Sequence, residues 1–565
     1  MNRICIIAGF AFACLCSFTG IAFSEARDPV SRRIFDIIQS GQRSNVFTCR
    51  GQRICGISAI PEFYGKREYA PAWTLEGTPT RQLEDLVLAL ESCGDEGLSP
   101  EIYHFAEIQE ILGKIRDSGS TPGAASPSIL AELDVLLTDA FLLYATHLRA
   151  GRVDPESIHT SWVSFLPEID LLRLLSEAIE RGRIAQSLLE LTPTDERYHQ
   201  LKKLLLTYRR FSDEGGWPQL PSGPTLRPGE LDLRVPALRR ILTAMGDLEE
   251  SAEQDGLLFD DSLEQALRRF QRRHGLEVDG ILGRKTLSQL NRPIGGRIRQ
   301  LEINLERWRW LPHDLGSRYL LVNIADFRLD AIESGRSVLD MRVVVGSHYR
   351  KTPVFSETMK YIVLNPYWHV PFRIAVKDKI PLIQKDPSYL SKNGFRVFLG
   401  WEADAPEIPP ESVNWSGITQ GNFVYRLRQD PGPQNALGRI KFMFPNHFAV
   451  YLHDTPQQVL FGKTVRTFSS GCIRVEKPLE LAAYVLQGNP YWTRERIEAA
   501  IASDRNRTVL LDEPIPVHLL YWTAWVEPDG TPHFREDIYE RDVLVDRALR
   551  EVPPKPALVR SGSYQ

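Results

Sequence analysis

Hydrophobic positions recur at helical spacing in the first part of the chain and alternate in the second. Leu83, Leu86, Leu88 and Leu90, then Leu133, Leu136, Leu137, Ala140, Phe141 and Tyr144, line helix faces in a mainly helical region over about 28–214. Gly215-Gly216-Trp217-Pro218, Pro221-Ser222-Gly223-Pro224 and Pro228-Gly229 offer little side chain to bury and form a linker. Beyond it three short amphipathic helices are predicted, over 235–245, 260–270 and 283–290. Asp261 or Ser262 is placed to cap the second, and Gly275 and Gly280 permit a tight left-handed bend after it. A further helix is expected near 298–309. The period then becomes two, over 320–324, 327–332 and 341–345, and strand-like runs return at 359–365, 395–399, 423–427, 448–452 and 508–511. A mainly-β unit is expected there.

Residues 373–417 mix helix and loop signals. A stretch of that length leaving and rejoining a β unit is the usual form of a lid over a site, a surface decoration being the alternative. The last 50 residues, with Trp522, Trp525 and a charged helix over 536–551, are expected to pack back on the scaffold or sheet. The predicted organisation is multidomain α+β: a leader over 1–26, a helical scaffold over 27–230, a three-helix module over 231–295, a mainly-β domain over 318–512 with a lid at 373–417, and a C-terminal extension over 513–565.

With 565 residues, 43% of them hydrophobic and 25% charged, the chain has the balance of a globular protein with more than one core. Lys+Arg 68 against Asp+Glu 72 gives a net charge of -4, so no large positive field exists to draw in nucleic acid. Arg3, the apolar run over 4–23 and polar Glu25-Ala26-Arg27 form an export leader, cleaved near Ser24 or Ala26 or kept as an inner-membrane anchor. A lipoprotein site at Cys14 or Cys16 lacks the usual aliphatic lead. Cys5, Cys14 and Cys16 belong to the leader, and Cys49, Cys55, Cys93 and Cys472 enter an oxidising compartment. Cys49 and Cys55, across a Gly-containing loop, are the natural disulfide pair, although four cysteines allow three connectivities.

Candidate chemistry concentrates in Val450-Tyr451-Leu452-His453-Asp454-Thr455 and Phe468-Ser469-Ser470-Gly471-Cys472-Ile473-Arg474-Val475. A thiol attacks as its thiolate and needs an adjacent base, and histidine alone titrates near neutrality without heavy tuning. The 19 positions from His453 to Cys472 suit an imidazole ending one strand beside a thiol starting the next. Gly471 leaves room for a substrate carbonyl, and the N–H groups of Gly471 and Cys472 are candidate oxyanion donors. His348 and His447 read as loop or turn residues, and His369 has no cysteine at suitable spacing. His104, His147, His159 and His199 read as packed or surface histidines. No HxxH, HExxH or paired CxxC motif supports a metal site, and no cofactor is expected.

His453 followed by Ser469-Ser470-Gly471-Cys472-Ile473-Arg474 resembles the signature of the L,D-transpeptidase, YkuD-type, catalytic domain. Gly346-Ser347-x-x-x-Lys351-Thr352-Pro353-Val354-Phe355, Asn365-Pro366-Tyr367-Trp368-His369-Val370-Pro371 and Pro431-Gly432-x-x-Asn435-Ala436-Leu437-Gly438 agree with the family's larger members. Ala266-Leu267-x-x-Phe270-Gln271-x-x-x-Gly275-Leu276-x-x-Asp279-Gly280 with Gly283-x-x-Thr286-Leu287 resembles the small three-helix peptidoglycan-binding domain, which binds glycan or acts as a spacer. The order of parts is similar to the YcbB-type periplasmic enzymes of Gram-negative bacteria.

The resemblance implies that Cys472 attacks the L-centre carbonyl of diaminopimelate in a tetrapeptide stem, releases D-alanine and passes the acyl group to an acceptor amine as a 3-3 crosslink. His453 serves as base, oriented by a backbone carbonyl, so Asp454 receives no triad role. It further implies peptidoglycan stems as donor and acceptor, cell-wall synthesis enzymes as partners, and acylation of Cys472 by carbapenems. Many members carry histidine where this chain has Ser470 and asparagine where it has Arg474, which bears on the acceptor side of the pocket. Tyr451, Ser470 and Arg474 are the candidate substrate contacts, Arg474 either pairing with a stem carboxylate or bracing the loop. Asn365, Trp368 and Pro371 are expected to fix the strand and lid entrance. Two other readings stay open at this level: a hydrolase with the same nucleophile, trimming stems or releasing wall-attached protein, and a silent wall-binding scaffold with Cys472 bridged to Cys93.

Overall fold

The structure, a computed structural model, describes residues 28–44, 46–117, 125–163, 169–249, 256–312 and 314–551, so the leader and its three cysteines lie outside the described residues. Helix Pro127–Ala150 is buried along nearly all its faces from Leu130 to Leu148, with the other N-terminal helices packed around it. Its two interior acids are satisfied by loops rather than by bulk charge. Asp134 accepts from the Tyr64 hydroxyl at 2.6 Å and the Ala72 and Trp73 N–H groups, and Asp139 from the Cys55 and Gly56 N–H groups and His104 Nε2 at 2.8 Å. Helix Arg81–Glu91 buries Leu83, Leu86 and Leu90, whereas Leu88, expected on the same face, is 61% exposed because it falls off the 3–4 spacing of that stripe.

The expected Cys49–Cys55 disulfide is not formed. The hairpin Thr48–Cys49 with Gln52–Arg53 pairs Cys49 with Gln52, and the Cys49 thiol donates to the Glu132 carbonyl at 3.8 Å. Cys55 lies past the hairpin, its own N–H fixed on Asp139. Burial pushes both thiols up to about 12. Cys93, buried in the turn Ser92–Glu96 of the helical region, is also a thiol, so the Cys472–Cys93 bridge required by the silent-scaffold reading is absent.

The three-helix module comprises Val235–Ala244, Asp261–Arg273 and Arg284–Leu290. Its second helix is capped one residue earlier than expected: Asp260, extended, accepts the Leu263 N–H at 2.9 Å. Helix Ile294–Arg309 begins four residues before its predicted start and shares one core with the module and with the C-terminal hairpin.

The second half is built on nine strands: β1 (Arg318–Asn323), β2 (Arg328–Glu333), β3 (Arg336–Gly346), β4 (Phe355–Leu364), and, after an excursion, β9 (Ile440–Met443), β10 (Leu452–His453), β11 (Thr467–Ser469), β12 (Ile473–Val475) and β13 (Arg507–Leu520). Their order is β11-β3-β12-β10-β9-β4-β13-β1-β2, and pairing of β2 with β3 closes the sheet on itself around a core that includes Val343, Ile362, Phe442, Leu452, Ile473 and Val517. The excursion carries β5 (Trp368–His369), β6 (Phe395–Leu399), β7 (Glu407–Ile408) and β8 (Tyr425–Gln429), ordered β7-β6-β8-β5, with its own core from Trp368 to Leu437. The run at 423–427, expected in the main sheet, therefore belongs with that at 395–399 to this separate lid, which is longer than the 373–417 insertion. Alternation reveals a strand but not its sheet.

The C-terminal part adds the hairpin β14 (Ala524–Val526) and β15 (Pro532–Phe534) and a helix, Arg541–Leu549, shorter than the expected 536–551. Glu540 adopts φ +58, and the Asp537 carboxylate takes the N–H groups of Arg541 and Asp542, which fixes where that helix starts. Trp522 stacks on Trp308 of helix Ile294–Arg309 at 4.4 Å. Among the described residues no helix is long and apolar enough to cross a membrane.

Candidate active site

The parallel pair β10 and β12 brings the candidate nucleophile and base together. Leu452 pairs with Ile473 and His453 with Arg474, and the Ile473 N–H donates to the Tyr451 carbonyl at 3.1 Å, so Cys472 lies level with Tyr451, one step before β12. Side chains two apart share a face of a sheet, and in-register neighbours do too. Tyr451, His453, Cys472 and Arg474 accordingly line one cavity of about 570 Å³ between the sheet and the lid.

His453 is buried, and its Nδ1 lies 2.5 Å from the Asp454 backbone carbonyl. Donation there leaves Nε2 with the lone pair. Burial first, then the charge of Arg474, hold the ring far below its usual value, at about 3, against hydrogen bonds to the Asp454 and Leu437 carbonyls and with a further contribution from Lys441. The Asp454 carboxylate is occupied elsewhere, accepting the N–H groups of Arg439 and Thr455 at 2.7 Å each. Gly438, at φ +62, packs so closely that a Cβ there would lie 2.3 Å from the Asp454 carboxylate.

Burial pushes the Cys472 thiol up, opposed by hydrogen bonding from the Tyr451 backbone and side chain and by the charges of Lys441 and Arg474. The thiol also meets the Ala449 carbonyl at 3.9 Å. Gly471 adopts φ +118, a conformation that favours glycine, and a Cβ there would meet only the Arg350 carbonyl at an ordinary contact distance of 3.9 Å, so backbone shape rather than crowding calls for it. Its N–H donates to Ser469 Oγ at 3.1 Å. Of the expected pair of oxyanion donors, the Gly471 N–H is therefore engaged within the turn in this structure. Ser469 Oγ also contacts the Cys472 carbonyl, and Thr352 Oγ1 donates to the Gly471 carbonyl at 2.9 Å while accepting the Gly346 N–H at 2.9 Å. Tyr539 donates to the Gly346 carbonyl and Arg541 to the Thr352 carbonyl, so the C-terminal segment braces the nucleophile turn.

Of the expected substrate contacts, Tyr451 and Arg474 line the cavity, Arg474 donating to Gln457 Oε1 at 2.6 Å. Ser470 is exposed at its rim and accepts from Arg350 at 2.8 Å, and Arg350 in turn forms a two-pronged pair with Asp378 of the lid at 2.5 and 2.9 Å. Trp368, expected only to shape the lid entrance, lines the cavity, where the Lys379 ammonium lies 5.1 Å from its ring and 3.0 Å from the Tyr389 hydroxyl. Asn365 does brace the backbone, donating to the Ala500, Ile501 and Arg505 carbonyls. His369 lies on β5 beside Arg426, His447 meets the Phe448 ring at a tilt and His348 meets the Ile538 carbonyl, all outside the cavity lining. His104 and His147 are packed, His147 on the Tyr103 hydroxyl. Sequence reasoning missed Arg350, Asp378, Lys379 and Lys441. Thr352 stood inside a quoted motif without a role.

Residues 317–492 match the YkuD family, described as the L,D-transpeptidase catalytic domain; residues 232–290 match a "Putative peptidoglycan binding domain", and residues 58–205 a "Scaffold domain". A Haemophilus influenzae protein named "Putative L,D-transpeptidase" is 34% identical over 249 residues, 44% of this chain and 49% of that protein. The N-acetylmuramoyl-L-alanine amidase CwlM of Mycobacterium tuberculosis is 39% identical over 80 residues, 13% of this chain and 20% of that one. The chain thus spans about half the length of the first relative and a fifth of the second. A solved L,D-transpeptidase from Xylanimonas cellulosilytica, 16% identical, aligns over 53% of this chain and 99% of its own length with a TM-score of 0.16, too low to add to the assignment. The chain therefore carries a YkuD-type L,D-transpeptidase catalytic domain, preceded by a peptidoglycan-binding domain.

Proposed function

We propose that the protein is a cysteine L,D-transpeptidase that forms 3-3 crosslinks between peptidoglycan stems outside the cytoplasm, in the periplasm of a Gram-negative bacterium. The observation that carries this is the placement of Cys472, His453 and Arg474 on one sheet face, under a lid, within a matched L,D-transpeptidase domain. His453 Nε2 takes the thiol proton as Sγ attacks the L-centre carbonyl of the donor diaminopimelate. The carbonyl oxygen becomes an oxyanion facing the Cys472 N–H. Collapse breaks the amide bond, the proton passes from His453 to the leaving amine of D-alanine, and a thioester remains. An acceptor side-chain amine then attacks the thioester, giving up a proton to His453, and the thiol is restored as its sulfur leaves. A site in which the imidazolium is strongly disfavoured needs that proton to move on within each step rather than rest on the ring.

Tyr451, Ser470 and Arg474 are the proposed substrate contacts, and the peptidoglycan-binding domain supplies a second hold on the wall. The test is to incubate protein lacking residues 1–26 with disaccharide-tetrapeptide, beside Cys472→Ala, and follow products by mass spectrometry. Crosslinked dimers with loss of D-alanine, absent in the variant, are expected. Tripeptide alone would instead make the protein a hydrolase, and dimers from a folded Cys472→Ala protein would refute the nucleophile.

A further inference from the structure

Two cations flank the thiol without a carboxylate partner. Lys441 on β9 is in register with His453 on β10, which is in register with Arg474 on β12, so three basic side chains form a row across one sheet face. The Lys441 ammonium stands 3.9 Å from the centre of the Tyr451 ring, and the Tyr451 side chain lines the same cavity as Cys472. Arg474 is held by the neutral Gln457 amide. Among the described residues, the one ionisable neighbour that favours the protonated form of each cation is Cys472 itself, once it ionises. Arginines elsewhere in the chain, such as Arg273 on Asp247 and Arg342 on Glu476, pair with acids; across this same cavity Arg350 is already paired with Asp378, while Lys379 sits among Trp368, Tyr389 and Phe395.

We propose that Lys441 and Arg474 are the counter-charges for the anion that forms at Cys472, Lys441 acting as a positioning residue through the Tyr451 ring. The proposal rests on Cys472 being the nucleophile. Lys441 and Arg474 on either side of His453 disfavour a third positive charge in the row, and so work against a stored thiolate–imidazolium pair. The structure instead keeps the ring neutral and supplies fixed positive charge from two neighbouring strands. That charge serves the thiolate first and the tetrahedral oxyanion next, with no reorganisation when the negative charge appears. Binding the cation to a ring face rather than to a carboxylate leaves its field uncancelled.

The test is the pH dependence of Cys472 alkylation by iodoacetamide, mapped to that cysteine by peptide mass spectrometry, with Cys472→Ala as the control for assignment. Alkylation follows the thiolate fraction. Lys441→Met is expected to move the midpoint up by about one unit, slowing alkylation at pH 7 about tenfold. Lys441→Arg should stay within about threefold of the unaltered protein, because charge over the ring is retained. Arg474→Gln, at a side chain that faces the cavity, should shift the midpoint in the same direction and decides the matter if Lys441→Met does not fold by circular dichroism. An unmoved midpoint in the folded variants overturns the proposal, as does a Lys441→Arg protein as slow as Lys441→Met, which would make the role one of shape. Because alkylation needs no stem peptide, a shifted midpoint in a protein that fails to crosslink would refute the proposed reaction and leave this inference standing.

Discussion

Replacing Thr352 by valine removes one oxygen atom and keeps the shape of the side chain. Thr352 is fully buried, and its hydroxyl is the link between β3 and the nucleophile turn, accepting the Gly346 N–H and donating to the Gly471 carbonyl, each at 2.9 Å. Valine leaves one buried donor and one buried acceptor unsatisfied, at about 1–3 kcal/mol each, so the local cost is about 2–6 kcal/mol with no cavity to add. The backbone bonds to Tyr539 and Arg541 remain, which confines the loss to the turn that carries Cys472. A chain of several cores has no single unfolding free energy, so the readout has to be local. Hydrogen exchange followed by mass spectrometry should show faster exchange in peptides spanning 343–352 and 467–475, and little change in the helical region. Single-turnover acylation of Cys472 by tetrapeptide should slow by about ten- to a hundredfold, the order expected when a reacting atom loses its position. Thr352→Ser should recover most of both. A valine protein with unchanged protection and an acylation rate within twofold would refute the claim that this hydroxyl positions the nucleophile.

The acylation rate should show no inflection near pH 6.5: with His453 held at about 3, the base is in its neutral, working form throughout the range from pH 5 to 8, and a titration step near 6.5 in a stopped-flow profile would contradict this. The same depression has a stability sign: the folded state keeps His453 unprotonated where the unfolded chain takes up a proton, so its contribution is present above about pH 6.5 and lost as pH falls below it, read as a lower melting temperature at pH 5 than at pH 7. Gly438→Ala forces a Cβ against the Asp454 carboxylate at φ +62 and should displace the carbonyl that holds His453; a loss of about tenfold or more in acylation, with a lower melting temperature, is expected in a thermal-shift and kinetic comparison. Asp378→Asn removes the charge that ties the lid to Arg350 and should raise KM for the stem more than it lowers kcat; a change confined to kcat would place Asp378 in the chemistry instead.

What the sequence carried was local, and what it missed depends on register and on tertiary contact. His453 and Cys472 were legible because a thiol with a histidine and a glycine at that spacing has few chemical uses, and the three-helix module because its turn needs glycine at 275 and 280, both at positive φ in the structure. The run at 423–427 was legible as a strand but not as a lid strand, since a period of two reports a pleated surface and not the partner it pairs with. The disulfide expected between Cys49 and Cys55 failed for the same kind of reason: closeness along the chain gave no weight to Asp139, 84 residues past Cys55, whose carboxylate fixes that loop. Lys441 is the clearest case. It lies 12 positions before His453 in a four-residue strand that gives it no local signature, and nothing in its type separates it from a surface lysine until β9 is laid beside β10. Its missing carboxylate partner then becomes meaningful, because a half-buried ammonium is costly unless some anion compensates it, and the group positioned to become that anion is the thiol of Cys472.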